Sequence, residues 1–166
     1  MDQQTHSQSS EQSRTQVERR SDRELVVTRL FHGPRHLVFR AWAEAELFRR
    51  WWVPEGHGIS LIACDRDVRT GGKYRLELGA GGADTMAFYG KYLGVVPNER
   101  IVWTNDEGDD GAIMTVTFTD QEGKTLLTFS ELYPFKQGLD EAMEGSAAGL
   151  PTQLDQLDQL LPTIGQ

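Results

Sequence analysis

The sequence contains 166 residues, of which 38% are hydrophobic and 25% charged, with a single cysteine, so it has the composition of one globular domain without an internal disulfide. Its 17 Lys and Arg residues against 25 Asp and Glu residues give a net charge of −8 at pH 7, which disfavours binding to the phosphate backbone of nucleic acids. No stretch resembles a secretory signal or approaches the ~20 apolar residues that span a bilayer, so we expect a soluble cytoplasmic protein without a membrane partner.

The first residues are poor in apolar side chains. Residues 1–21 are rich in Gln, Ser, Thr and charged residues, and only Met1 and Val17 are sizeable apolar side chains. So few apolar groups cannot offset the entropy that a chain loses when it becomes ordered. The composition therefore predicts a disordered N-terminal tail over residues 1–21 and a single domain over residues 22–166.

A strand followed by two short helices is predicted next. Aliphatic and aromatic residues between positions 25 and 31 end at Gly33 and Pro34, which is typical of a strand that stops at a turn. Pro34 suits the first turn of a helix because its missing N–H is not needed there, and apolar residues then recur at steps of three and four. A second short helix is predicted over residues 45–52.

The segment from residue 58 to residue 133 has the pattern of an antiparallel meander. Turn signals rich in Gly, Pro, Asn and Asp recur between short runs that favour strands. The predicted strands are Ile59–Asp65, Lys73–Leu78, Thr85–Val96, Arg100–Asn105, Ala112–Thr119 and Thr125–Tyr133. Apolar and polar residues alternate in several of them, so we expect one apolar face and one solvated face.

After Pro134 the apolar residues recur at helical spacing. They are Leu139, Met143, Ala147, Leu150, Leu154, Leu157 and Leu161. This single stripe predicts one long C-terminal helix whose apolar side lies on the concave face of the sheet, with a kink at Pro151. The order β-αα-β6-α is an α+β architecture, in which a curved antiparallel sheet of about seven strands wraps around the long helix.

Several short motifs also recur in a characteristic order between about residues 24 and 161. They are Pro34 with Val38-Phe39 and Ala41-Trp42, Trp51-Trp52 with Pro54, Asp67-Val68-Arg69 before Gly71-Gly72-Lys73-Tyr74, Gly90-Lys91-Tyr92, Pro97-Asn98-Glu99-Arg100-Ile101-Val102, Thr115-Val116-Thr117-Phe118 and Leu154-Asp155-Gln156-Leu157. In these motifs the sequence resembles the activator of heat-shock-protein-90 ATPase homologue-like proteins of the START/Bet v 1-like (SRPBCC) superfamily.

That resemblance implies a helix-grip fold in which the sheet and the C-terminal helix can enclose an apolar cavity. It does not imply a reaction, because the same fold carries unrelated functions. Many relatives have a Gly-Trp pair in the last helix where this chain has Gly149-Leu150. One bulky wall of the cavity is therefore missing or replaced, and we expect a ligand of different shape.

No cofactor and no metal are predicted. His6, His32, His36, His57 and Cys64 do not follow a known metal-ligand spacing. Cys64 lies in a predicted strand without a close basic pattern that would lower its pKa, so it is interpreted as a packed or half-exposed structural thiol.

Three residues are candidates for acid-base chemistry, and no catalytic residue is assigned among them. Glu77 and Glu131 lie on predicted strands, where a carboxylate more often faces the solvated side than the interior. His57 follows the second short helix. If the protein were an enzyme, an acid-base mechanism would draw on these groups.

The aromatic and aliphatic residues of the apolar faces are the best candidates for a binding cavity, with ordinary core packing as the alternative. They are Phe48, Trp52, Tyr74, Leu76, Phe88, Trp103, Met114, Phe118, Phe129, Met143, Leu150 and Leu154. The leading hypothesis is a non-enzymatic protein that binds a small apolar or amphipathic molecule. The alternatives are a regulator that interacts with a chaperone, and a cyclase or hydrolase with a buried carboxylate or histidine.

Overall fold

The computed structural model of the protein describes residues 15–53, 58–79, 85–104, 111–144 and 149–164. The strands of these residues are β1 (Thr15–Arg19), β2 (Glu24–Phe31), β3 (Ser60–Arg66), β4 (Lys73–Gly79), β5 (Thr85–Val96), β6 (Arg100–Thr104), β7 (Ile113–Gln121) and β8 (Lys124–Leu132). They form one 8-stranded sheet in the order β1-β2-β8-β7-β6-β5-β4-β3. All neighbouring strands are antiparallel, so β3 to β8 form the meander that the turn signals predicted.

The helices of the described residues are α1 (Arg35–Ala43), α2 (Ala45–Phe48), α3 (Lys136–Glu144) and α4 (Leu150–Ile164). Helix α1 begins directly after Pro34, whose carbonyl oxygen accepts hydrogen bonds from the N–H groups of Leu37 and Val38. The predicted β-αα-β6-α order is therefore present. The structure adds β1 before it and divides the C-terminal helical region into α3 and α4.

One face of the sheet is apolar and is covered by helices. In β7, the buried residues Met114, Val116 and Phe118 alternate with more exposed threonines, as the sequence pattern predicted. We call this side of the sheet the inner face. Helix α1 packs on β7 and β8 at the inner face, and α4 packs against α1. Leu154 and Leu157 of α4 are completely buried, so the core lies between the inner face and these helices.

Strand β1 lies within the segment that was predicted to be disordered. It pairs with β2 in the register Thr15↔Arg29 to Arg19↔Leu25, while the side chain of Val17 remains 47% exposed. Backbone hydrogen bonds rather than apolar burial therefore hold this strand. Amino-acid composition does not predict this kind of pairing, because every residue type has the backbone groups that form it. The structure differs from the prediction at Thr15–Arg19, and residues 1–14 lie outside the described residues.

The predicted C-terminal stripe is divided between two helices. Leu139 of α3 and Leu161 of α4 are both buried, as the spacing predicted, whereas Ala147 lies outside the described residues. Pro151 is the second residue of α4 and not an interior residue of a longer helix. A proline in the first turn does not disturb the helix, because the first N–H groups have no partner within it. The kink predicted at Pro151 is therefore replaced by a helix start.

Candidate functional site

All the residues that were predicted to line a cavity belong to one apolar cluster between the inner face and the helices. Phe48, Tyr74, Leu76, Met114, Phe118, Phe129, Leu150 and Leu154 are buried in it. Trp52, Phe88, Trp103 and Met143 pack against the cluster but are only partly buried. The structure thus brings the predicted residues together, and it separates them into a closed part and a less closed part.

The closed part is centred on Trp42, which was not among the predicted cavity residues. Its ring centroid lies 4.8 Å from that of Trp51, 5.9 Å from that of Phe129 and 5.9 Å from that of Trp103. Edge-on and tilted contacts at these distances are favourable packing arrangements. The Ala41-Trp42 motif at the end of α1 was the available signal, but only the fold shows that the other rings converge on it. Around Trp42 the core is filled by side chains.

The less closed part lies over β5 and β6. Trp103 forms a cross-strand row with the buried residues Tyr92 and Met114, so its side chain lies on the inner face, yet it remains partly exposed. Phe88 pairs directly with the buried Leu76 and is also partly exposed. Aromatic surface therefore remains accessible on a face that elsewhere is buried.

The segment after α2 packs beside Trp42, whose ring centroid lies 6.0 Å from that of Trp52, and it is held by α4. The ring of Trp52 stacks on that of Phe48, with centroids 4.8 Å apart. The side-chain amide of Gln156 donates hydrogen bonds of 2.9 Å to the carbonyl oxygens of Trp51 and Val53. These bonds satisfy backbone groups that the short helix α2 leaves unpaired, and they fix the position of Trp52 relative to α4.

Glu131 is the acidic residue that faces the core. It occupies the row of Trp103 and Met114 on the inner face, and the whole residue is only 5% exposed. The hydroxyl of Tyr133 donates a 2.7 Å hydrogen bond to its Oε1 atom. Burial raises the pKa of Glu131 above its ordinary value, and the hydrogen bond from Tyr133 opposes part of that rise. Leu127, Phe129 and Glu131 are two residues apart along β8, so their side chains lie on the same face of the sheet. The apolar residues Leu127 and Phe129 were therefore the sequence signal that the carboxyl group of Glu131 faces inward.

The other acid-base candidates do not share this position. Glu77 lies on β4 next to Arg75, whose Nη1 is 3.2 Å from Oε1 of Glu77, and its second oxygen accepts a hydrogen bond from Thr85. Cys64 is half-buried, as expected of a structural thiol, and burial raises its pKa away from the reactive thiolate form. His57 lies outside the described residues.

A second concave region lies across β3, β4 and β5. It is an open groove of about 870 Å³, and Tyr74 is the one predicted cavity residue that lines it. Lys73 and Lys91 face each other across β4 and β5 at its border, and both are exposed. Two cations directly opposite each other are unfavourable for the sheet itself. The groove also contains Asp65 and Asp67, and Tyr74 and Cys64 connect it to the apolar cluster, so it is a mixed-charge groove at the margin of the inner face.

In the described ranges, no three or more His, Cys, Asp and Glu side chains are placed to hold a metal ion. Within the same ranges, no helix combines the length and apolarity that a membrane span requires.

Comparison with known proteins assigns the fold. The family model described as "Activator of Hsp90 ATPase homolog 1-like protein" matches residues 32–162. A crystal structure from Chromobacterium violaceum is similar at 26% identity and a TM-score of 0.71, covering 85% of this chain and 98% of its own. A solution structure from Staphylococcus epidermidis is similar at 24% identity and a TM-score of 0.76, covering 90% of this chain and 95% of its own.

A solution structure of an AHSA1-like protein from Aeromonas hydrophila has 19% identity and a TM-score of 0.67, with coverage of 84% of this chain and 94% of its own. No curated protein matches the sequence. The structural similarities confirm the predicted α+β helix-grip fold, with its curved antiparallel sheet and C-terminal helix. Fold similarity at this level of identity does not transfer a ligand or a reaction.

Proposed function

The chain belongs to the family of Activator of Hsp90 ATPase homolog 1-like proteins, and from that premise we propose that it binds one small apolar or amphipathic molecule. The proposed site lies between the inner face of the sheet and the helices α3 and α4. The helix-grip fold suggests ligand binding because a curved sheet and a long helix can leave space between them. The position of that space in this chain follows from which inner-face side chains remain accessible.

The observation that carries the proposal is the partial exposure of Trp103 and Phe88 on the inner face. Both residues lie beside completely or nearly buried neighbours in the sheet, so their exposure is not that of an outer surface. Apolar surface that is concave and partly accessible is the usual lining of a small-molecule site. A ligand that covers these rings would gain the free energy of burying them.

An enzyme remains the alternative that has one specific observation in its favour, the inward position of Glu131. Among the described residues, the side-chain partner of its carboxyl group is the Tyr133 hydroxyl, and acid-base catalysis generally needs a further group aimed at the substrate. We therefore expect no hydrolytic or cyclising activity that Glu131→Gln, Glu77→Gln or His57→Ala abolishes while the fold is retained. A hundredfold loss of such an activity in any of these variants would favour the enzyme alternative.

The chaperone alternative would use the outer surface and not the interior. The groove at Lys73 and Lys91 carries positive charge at these two exposed residues, although Asp65 and Asp67 also line it, and Tyr89 in its lining is 43% exposed. An acidic segment of a protein partner would complement that surface. Under this alternative, Lys73→Glu combined with Lys91→Glu would abolish binding to a purified chaperone and leave small-molecule binding unchanged.

The proposal is tested first by native mass spectrometry of the purified protein, which would detect a retained small molecule. Fatty acids, aromatic polyketides and fluorescent apolar probes are then titrated by isothermal calorimetry. We expect saturation at one equivalent for at least one compound, with a change in tryptophan emission because Trp103 lies in the proposed site and is partly exposed. No saturable signal from the whole panel would contradict the proposal and favour a solid core.

A variant pair locates the site. Leu150 is 3% exposed at the start of α4, so Leu150→Trp should fill space near the site and weaken binding by roughly 1 to 3 kcal/mol. Gln159→Trp is the matched control, because it adds the same side chain to α4 at an exposed position. Equal weakening by both variants would show that the added tryptophan acts elsewhere.

A further inference from the structure

We propose that Glu131 binds the polar end of the ligand, and that this end is a hydrogen-bond donor, with a protonated amine as the preferred class. The inference rests on the proposed function and identifies the chemistry of the ligand. It follows from the row in which Glu131 lies, from the way Tyr133 is positioned, and from the charges around the carboxyl group.

The row places Glu131 next to the apolar surface that a ligand would cover. Across neighbouring strands, Trp103 pairs with Met114, Met114 with Glu131, and Glu131 with Leu25. Adjacent strands are about 4.8 Å apart, so strand β8, which carries Glu131, lies roughly 10 Å from strand β6, which carries Trp103. An apolar tail against Trp103 and a polar head at Glu131 would thus belong to a molecule of ordinary amphiphile size.

Tyr133 leaves one carboxyl oxygen available. The Tyr133 hydroxyl binds Oε1, whereas Oε2 has no hydrogen-bond partner in the described part of the chain. The Tyr133 ring is held by α3, because a Cβ atom on Gly138 would lie only 3.1 Å from Cδ2 of that ring. Glycine at this position allows the helix to approach the ring closely. Oε2 is therefore an acceptor held in place beside apolar side chains.

The cations near this position are engaged with other groups, and the guanidinium of Arg23 donates a 3.3 Å hydrogen bond to the carbonyl oxygen of Tyr133. Arg19, which lies in the same cross-strand row beyond Leu25, forms a salt bridge with Asp140 of α3. Arg29, the buried cation of β2, forms salt bridges with Asp155 and Asp158 of α4. In the described residues, Glu131 thus has a neutral phenol and no cation as its partner.

A carboxyl group in apolar surroundings is costly to ionise without a counter-charge, and burial accordingly raises the pKa of Glu131. A ligand ammonium group would supply the missing charge and donate a charge-assisted hydrogen bond to Oε2. A hydroxyl group would donate a neutral hydrogen bond. A ligand carboxylate would place two negative charges together, which is the least favourable combination.

The test uses decylamine, decanol and decanoic acid, which share one tail and differ in the head group. Each is titrated into the full chain by calorimetry at submicellar concentration and pH 7. We expect the amine to bind about tenfold more tightly than the acid, because a charge-assisted hydrogen bond is worth about that factor. Glu131→Gln should remove this preference and change the affinity for decanol by no more than about twofold.

Glu77→Gln is the matched control. It is the same substitution at a carboxyl group outside the proposed site of a chain of net charge −8, so it shows how far the loss of a carboxylate alone weakens the long-range attraction of the amine. Glu77 contacts Arg75 and Thr85 and has no place in the proposed site. We expect Glu77→Gln to retain the preference for the amine.

The outcomes separate the two proposals. If all three compounds bind but the wild-type chain does not prefer the amine, or if the preference survives in Glu131→Gln, the role of Glu131 is wrong and ligand binding stands. If none of the compounds binds saturably, both proposals are wrong for this tail class. The wild-type ranking of head groups decides the question even if Glu131→Gln does not fold.

Discussion

Nη2 of Arg29 lies 3.1 Å from Oδ2 of Asp158, and this ion pair joins strand β2 to helix α4. The Arg29 side chain is only 1% exposed, and Asp155, one helical turn away on the same flank of α4, also binds its guanidinium group. On the opposite flank, Gln156 binds the carbonyl groups after α2. Polar contacts on both sides of the leucine stripe therefore fix the position of α4 over the sheet.

The first prediction concerns this ion pair. Replacing Asp155 and Asp158 together by Asn should lower the free energy of unfolding by about 3 to 5 kcal/mol, because a buried guanidinium group is left without a counter-charge. Each single replacement should cost less, because the other carboxylate remains. Urea titration of the single and double variants measures these losses.

Arg29→Met provides the control background for this experiment. With an apolar residue in place of the buried cation, the Asp158→Asn substitution should cost less than about 0.5 kcal/mol. An equal cost in both backgrounds would show that Asp158 stabilises the protein through something other than Arg29.

The second prediction concerns the leucine stripe of α4. Leu154 is completely buried, so Leu154→Ala should lower the free energy of unfolding by about 2 to 5 kcal/mol through lost burial and an unfilled cavity. Gln159→Ala on the exposed side of the same helix is the control and should have an effect within about 0.5 kcal/mol. Asp155 is not a suitable control, because it contacts Arg29. Similar losses at Leu154 and Gln159 in a denaturant titration would contradict the assigned orientation of α4.

The third prediction concerns the N-terminal strand. Deleting residues 1–19 removes the pairing of β1 with β2 and the hydrogen bond of 3.1 Å between the Arg29 guanidinium and the Thr15 hydroxyl. We expect a lower unfolding midpoint and faster hydrogen exchange of the β2 amides that face β1. Deleting residues 1–14 alone should leave both measurements nearly unchanged, since that segment has few apolar side chains. No loss of stability on deleting residues 1–19, or an equal loss on deleting residues 1–14 alone, would contradict the role of β1.

The fourth prediction concerns the pH dependence of stability. The pKa of Glu131 in the folded chain is raised above its ordinary value of 4.5, so between these two values the folded chain binds more protons than the unfolded chain. The contribution of Glu131 to the free energy of unfolding must then fall as pH rises through that window, and it must be constant at higher pH. Urea titrations from pH 4 to pH 8 should show the wild-type chain losing stability relative to Glu131→Gln across the window.

Tyr133→Phe extends this test. Removing the hydroxyl removes the hydrogen bond that lowers the pKa of Glu131, so the window in which stability falls should reach to higher pH. If the difference between wild type and Glu131→Gln were independent of pH, or rose with pH, Glu131 would have an ordinary or lowered pKa in the folded chain.

The sequence by itself determined most of the architecture. The turn signals placed the strands of the meander within about two residues, because Gly, Pro and Asn restrict the backbone locally. The period of two in β7 and the spacing of Leu150, Leu154 and Leu157 identified the buried faces, because local geometry alone decides which side chains share a side. The candidates for a binding cavity were selected from the same apolar patterns.

Tertiary structure decided which polar groups meet. Arg29 and Asp158 are 129 residues apart, and no local pattern connects them. Glu131 alternates with apolar residues, but its burial depends on α3, whose Gly138 approaches the ring of the neighbouring Tyr133. Strand β1 forms only because the edge of β2 offers free backbone groups. Apolar patterns are local and additive along the chain, whereas a buried charge and an edge strand are stable only where a distant partner satisfies them.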